Sequence, residues 1–159
     1  MERPYEPTPP SEAAQALQQL KALPSLEDTT AQVQAAIDEI TAAASVLIPS
    51  IEWETLHEGS TGNCERPYEQ ADGQRYFLPL RVAENVAVSE QNWAAIVEAA
   101  KASAAKLDAT DVAVMKDQPA DRDVWFSGPT GIFIKIGYAG NLGVAGYTGC
   151  RLPRDKKGG

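Results

Sequence analysis

Few side chains in this sequence are able to do covalent or acid–base chemistry. There is one histidine, His57, and there are two cysteines, Cys64 and Cys150, among 159 residues. A nucleophile needs a base within hydrogen-bond reach. His57 stands at the end of a strand pattern beside the loop that carries Cys64, so a His57–Cys64 dyad is the one pair the spacing offers. A surface loop histidine is the simpler reading. One histidine and two distant cysteines do not make a zinc site. The acidic residues stand singly, without the Asp-x-Asp-x-Asp spacing of a calcium loop. The run from Gly137 to Gly146 is rich in glycine but is spaced Gly-x-x-Gly-x-x-Gly. No Gly-Lys-Ser/Thr follows it, and no helix pattern comes after it to hold an anion. Hairpin turns and close strand approach account for those glycines. We expect no catalytic residue, no metal ligands and no cofactor.

The cysteines then have a structural reading. Two buried reduced thiols are one alternative. Yet Cys64 lies in the polar run Gly62-Asn63-Cys64-Glu65, and Cys150 ends a strand pattern in Thr148-Gly149-Cys150-Arg151. Neither sits in an apolar stretch where an inert thiol would hide. A Cys64–Cys150 bridge would pin the one long irregular loop to the last strand, and such bonds persist in oxidising compartments. The bridge therefore argues for export.

The elements that must position these residues follow from periodicity. Residues 1–10 hold four of the eleven prolines and read as an extended tether. Ser11 caps a helix that Pro24 ends. Ser25, with Asp28 three residues on, starts a second helix whose stripe is Val33, Ile37, Ile40, Ala44 and Leu47. Residues 51–56 alternate as a half-buried strand, and 58–74 read as loop. Residues 75–82 form a second strand, with Tyr76, Leu78, Leu80 and Val82 on one face and Pro79 marking an edge or bulge. Ser89 caps a third helix that buries Trp93, Ile96, Val97, Ala100, Ala104 and Leu107. Four strands close the chain, over 111–116, 123–127, 131–138 and 141–150. The order ααββαββββ predicts an α+β fold, a mostly antiparallel sheet with helices on one face, its last four strands a meander. The third helix gives scope for a split βαβ crossover. The domain spans 11–153, and 154–159 read as a disordered tail.

A sheet covered on one side leaves its other face for solvent or a partner. Phe133 and Lys135 alternate against Ile132, Ile134 and Ile136, while Trp125 and Phe126 must point to opposite sides. Trp125, Phe126, Phe133 and Lys135 are therefore the candidate binding surface, an exposed aromatic there being the mark of an interaction site. One further feature is a duplication: Glu-Arg-Pro-Tyr-Glu occurs at 2–6 and again at 65–69.

Composition sets the outer bounds. With 43% hydrophobic and 23% charged residues the chain is an ordinary globular one. A formal charge of −8 would repel nucleic acid and anionic membrane surfaces, so neither is an expected partner. No run approaches the ~18 apolar residues of a membrane span. Nor does the start have the apolar core of a signal peptide.

The run Ile48-Pro49-Ser50-Ile51-Glu52-Trp53, then Cys64, then a capped helix ending Ala104-Ala105-Lys106-Leu107-Asp108-Ala109-Thr110 carries a resemblance. With the Arg122-Asp123 pair, the Gly131 turn and the closing Gly149-Cys150-Arg151-Leu152-Pro153, it resembles the LppA-like family of mycobacterial lipoproteins over about residues 26–153. That resemblance implies an α+β fold with a disulfide and an export signal and lipid-modified cysteine upstream of residue 1. It also implies a place at the outer face of the cytoplasmic membrane, reached only through the N-terminal lipid anchor, and no established biochemical activity. The expected function is non-catalytic binding of an envelope protein or lipid component. The alternatives are a carrier with an apolar pocket between helices and sheet, lined by Trp53, Trp93 or Ile residues, and a small hydrolase using His57.

Overall fold

A computed structural model describes residues 8–157. Four helices and eight strands occur in the order α1 (Pro10–Ala22), α2 (Leu26–Leu47), β1 (Glu54–Leu56), β2 (Ser60–Asn63), β3 (Gln74–Phe77), β4 (Leu80–Ala83), α3 (Glu90–Ala105), β5 (Asp111–Gln118), β6 (Asp121–Ser127), β7 (Phe133–Tyr138), β8 (Leu142–Tyr147) and α4 (Arg154–Lys157). The strands form one antiparallel sheet ordered β1-β4-β8-β7-β6-β5, with the β2–β3 hairpin attached through β3 to β8. This is the expected α+β fold, and β5 to β8 are the expected meander. Counting antiparallel steps, β4 and β5 run parallel with three strands between them, so α3 makes a split βαβ crossover.

The helices start where their caps say. Ser25 Oγ accepts the Asp28 N–H at 3.0 Å, and Ser89 Oγ accepts that of Asn92 at 3.0 Å, each satisfying one orphan donor of a first turn. α1 differs: it begins at Pro10 and no side chain caps it. A proline at the first helical position has no N–H to satisfy and a preset φ, so Ser11 is not needed as a cap. α2 and α3 pack on each other and on one face of the sheet, α2 over β8 and α3 over β6 and β7. Between them Val33, Ile37, Ile40, Ala44, Ile96, Ala100, Ala104, Phe126, Ile134, Ile136, Leu142 and Val144 are fully buried. Leu47, at the far end of the α2 stripe, is exposed.

The largest departure from expectation lies between residues 51 and 83. The first strand is only Glu54–Leu56, because Ile51 and Trp53 fold back against the core and Trp53 Nε1–H donates to Ser45 Oγ. The segment read as loop contains β2, paired residue for residue with β3 from Ser60↔Phe77 to Asn63↔Gln74. Pro79 does not bulge one strand but separates two. Leu78 belongs to the helix-side core, whereas Leu80 and Val82 line the opposite face, so the expected single face is split at the proline. Without an N–H the proline cannot continue a ladder.

Both ends of the described segment are tied down further than expected. Thr8 is buried, its N–H and hydroxyl both donating to the Glu69 carboxylate, while Gln70 Nε2 donates to Thr8 O at 2.7 Å. Residues 1–7 of the expected tether lie outside the described residues. Where a disordered tail was expected, Arg154–Lys157 form a helical turn. The Arg154 N–H donates to Glu27 Oε1 at 2.9 Å, its guanidinium pairs with Asp28, and Lys157 Nζ donates to the Lys21 and Leu23 carbonyls. Those carbonyls end α1 and have no helical partner of their own.

Candidate functional site

Cys64 and Cys150 form a disulfide, with Cα atoms 5.6 Å apart across 86 residues of sequence. It joins the loop after β2 to the turn after β8, and Leu20 of α1 packs beside it: a side chain at Gly73 would meet Cys150 Sγ, Cys64 Sγ and Leu20 Cδ1. The bond leaves Cys64 no thiol, which removes the nucleophile from a His57–Cys64 dyad. His57 itself is exposed on the turn after β1, at φ 65°.

The uncovered face of the sheet carries a connected row of aromatic rings. Trp125 on β6 meets Phe133 on β7 edge to face at 5.3 Å, and Phe133 stacks on Tyr147 of β8 at 5.0 Å and 12°. Tyr147 meets Phe77 of β3 edge to face at 4.7 Å, and the Arg75 guanidinium lies 5.4 Å above the Phe77 ring. The row follows the register, since Phe133↔Tyr147 and Phe77↔Tyr147 are cross-strand partners. Offset and edge-to-face geometry is what ring quadrupoles favour. All four rings are half-buried. Lys135 lies next to Trp125 in the β6–β7 register and forms no ion pair among the described residues.

Of the four candidate residues, then, Trp125, Phe133 and Lys135 share this face. Phe126 does not: it is fully buried beneath the helices with Val124 and Ile134 and forms no part of the surface. Alternation requires Trp125 and Phe126 to oppose each other but does not say which is outside. Phe77, Tyr147 and Arg75 were not foreseen. Each is visible as the polar-side neighbour of an inward residue (Tyr147 beside Gly146, Phe77 beside Leu78), but only the strand register brings them into one row.

Beside the row the face sinks into a trough of about 390 Å³. Its floor is the cross-strand pair Gly137↔Gly143. A Cβ at either would touch nothing closer than 3.5 Å, so packing does not demand glycine at these two positions; its absence of side chain is what leaves the trough open. Gly146 is the contrast, facing the helices with Val33 Cγ1 2.7 Å from where its Cβ would be. The trough rim is charged but balanced: Lys116 pairs with Asp121 at 3.7 Å, Arg122 with Asp117 and Glu90, and Trp125 Nε1–H donates to Asp123 Oδ1 at 3.0 Å.

A second cleft, of about 610 Å³, lies between α1, the 65–69 copy of Glu-Arg-Pro-Tyr-Glu and the turns around Gly131 and Gly149. Tyr68 of that copy donates its hydroxyl hydrogen to Gln19 of α1 at 3.0 Å. The other copy, at 2–6, lies outside the described residues. Behind the cleft sits Arg151, 1% exposed, donating to Thr130 O and Cys150 O at 2.7 Å and to Thr29 Oγ1 at 3.2 Å. Burial lowers its guanidinium pKa from the ordinary value, an effect opposed by Tyr68.

With this geometry in view, the sequence matches a family model over residues 1–154. The chain belongs to the LppA family. That family is described as a lipoprotein confined to pathogenic Mycobacterium. The structure is similar to that of LppA from Mycobacterium tuberculosis, at 17% identity and TM-score 0.74, covering 91% of this chain and 88% of that one. It is also similar to a DUF4853 family protein from Actinomyces odontolyticus, at 18% identity and TM-score 0.60, covering 84% and 72%. At those identities the likeness concerns the fold. No curated protein matches the sequence. The LppA-family descriptions name no reaction.

Proposed function

We propose that this is the globular domain of a lipid-anchored envelope protein that acts by binding, without catalysis, an envelope protein or component through the uncovered sheet face. The observation that carries the reading is the row Trp125–Phe133–Tyr147–Phe77 with Lys135 beside it. A monomer with no use for that face would have little reason to keep four large rings together there with a lysine that is unpaired among the described residues. The glycine floor of the neighbouring trough supports the same face, since it keeps open a space that side chains would fill. The balanced rim favours a partner with apolar and hydrogen-bonding character over a highly charged one. Support for a carrier of apolar ligands is weaker. Trp93 and the Ile residues between helices and sheet are packed, and neither described cleft is lined by Trp53 or Trp93.

The test is sedimentation of the purified domain with isolated mycobacterial cell-wall and membrane fractions, against a Trp125→Ser/Phe133→Ser variant. Saturable retention lost in the variant is the expected result. Equal retention of both proteins would remove the open face from the account.

A further inference from the structure

The second cleft has the makings of an anion site that the open-face reading does not use. The chain carries a net charge of −8, yet Arg66 and Arg75 both line this cleft, each beside one carboxylate, Arg75 3.6 Å from Glu65 and Arg66 3.9 Å from Glu69. Their Nε groups are held in place, that of Arg75 by Asn63 O at 3.0 Å and that of Arg66 by Thr8 and Glu69. Arg151 adds a third cation behind the wall. Its acceptors are all neutral, two of them carbonyls of the cleft-lining residues Thr130 and Cys150, and among the described residues no carboxylate pairs with it. A buried guanidinium without a counter-charge is costly. The backbone points the same way. Gly149 is buried and lines the cleft with Cys150, and among the described residues neither N–H has a backbone acceptor. Buried N–H groups are almost always paired, and consecutive ones in a left-handed turn, here with Gly149 at φ 74°, form a concavity that suits an anion. Leu20 and Leu23 supply an apolar wall opposite.

We propose that this cleft binds a phosphate ester, its phosphoryl oxygens meeting Arg66, Arg75 and the Gly149 and Cys150 N–H groups and its organic part lying along Leu20 and Leu23. A phosphoryl group offers oxygens in several directions, which matches donors that arrive from the 65–69 loop, from β3 and from the turn after β8. The volume is that of a small-molecule site. A bound anion would also supply the counter-charge that Arg151 lacks among the described residues.

The experiment is a ¹⁵N–¹H titration of the oxidised domain at constant ionic strength, first with inorganic phosphate, then with monomeric dihexanoyl phosphatidic acid. Saturable shifts at Gly149 and Cys150 are expected, and Arg66→Gln should weaken binding about tenfold, the loss of one charge-assisted contact. Arg66 is half exposed, so this variant should keep the parent spectrum elsewhere. Saturation by inorganic phosphate identifies a soluble phosphate ligand, whereas saturation by the lipid alone identifies a headgroup. The proposal is overturned if neither titrant gives saturable shifts there, or if Arg66→Gln and Arg75→Gln both bind as the parent does.

Discussion

Replacing both cysteines, as Cys64→Ala/Cys150→Ala, should destabilise the domain by about 3–5 kcal/mol. The bond spans 86 residues, and the chain-entropy relation for a loop of that length gives about 4.6 kcal/mol at 25 °C. Two structural terms move the figure. Cys64 is buried, so losing the sulfurs beside Leu20 removes packing and adds to the cost. Residual order in the open chain subtracts from it. What remains is still large beside the total stability of a domain this size, about 5–15 kcal/mol. Urea unfolding of the oxidised parent and the double alanine variant measures it, with a fall in Tm of roughly 10 °C or more as the thermal counterpart. A variant within about 1 kcal/mol of the parent would refute the reasoning. It would mean that β3 and the turn after β8 are held by the Gln74↔Arg151 bridge and the Arg151 hydrogen bonds alone.

Three further predictions use the same logic. Phe126→Ala should cost about 3–5 kcal/mol because the ring is fully buried, whereas Phe133→Ala on the open face should cost under about 2 kcal/mol; equal losses in urea unfolding would contradict the assignment of faces. Gly146→Ala should destabilise by about 1–3 kcal/mol through its clash with Val33, while Gly143→Ala should be neutral or mildly stabilising by the same assay. Glu39 accepts from Ser103 Oγ at 2.8 Å and pairs with Lys106 at 3.2 Å, and these contacts, the Ser103 hydrogen bond foremost, lower its carboxyl pKa. A depressed folded pKa means the α2–α3 tie is intact above the ordinary glutamate range and lost as pH falls through the folded value. Urea midpoints followed from about pH 6 to about pH 3 should therefore fall more steeply for the parent than for Glu39→Gln.

Much of the fold was legible because local chemistry and tertiary packing agree. Ser25 and Ser89 cap helices, and the stripes they introduce face the core. Ile132, Ile134 and Ile136 alternate as a buried strand face must, and the disulfide follows from two cysteines in polar settings. What was missed depends on partners distant in sequence. β2, Ser60-Thr61-Gly62-Asn63, has no apolar alternation, and only pairing with β3 makes it a strand. Pro79 reads as an edge or a bulge within one strand, and the break shows only when β4 is seen against β1 and β8. The tying of Thr8 and of Lys157 rests on acceptors more than 60 residues away. The candidate face was half legible for the same reason: period two separates Trp125 from Phe126 but does not orient them, and Phe77 joins Tyr147 only through register. The cleft in front of Arg151 left no pattern in the sequence, since its lining comes from α1, the 65–69 loop, β3 and two turns.

The central claim is that the open sheet face is the working surface in the envelope. Site-specific photo-crosslinking in living mycobacteria tests it most directly, with the protein exported behind a lipoprotein signal and carrying a photoreactive phenylalanine at Phe133 or Lys135, or at the exposed helix positions Gln32 or Lys101. The account predicts a discrete adduct from Phe133 and Lys135 and none from Gln32 and Lys101. Adducts from the helix positions alone would place the partner on the other side of the molecule and contradict it.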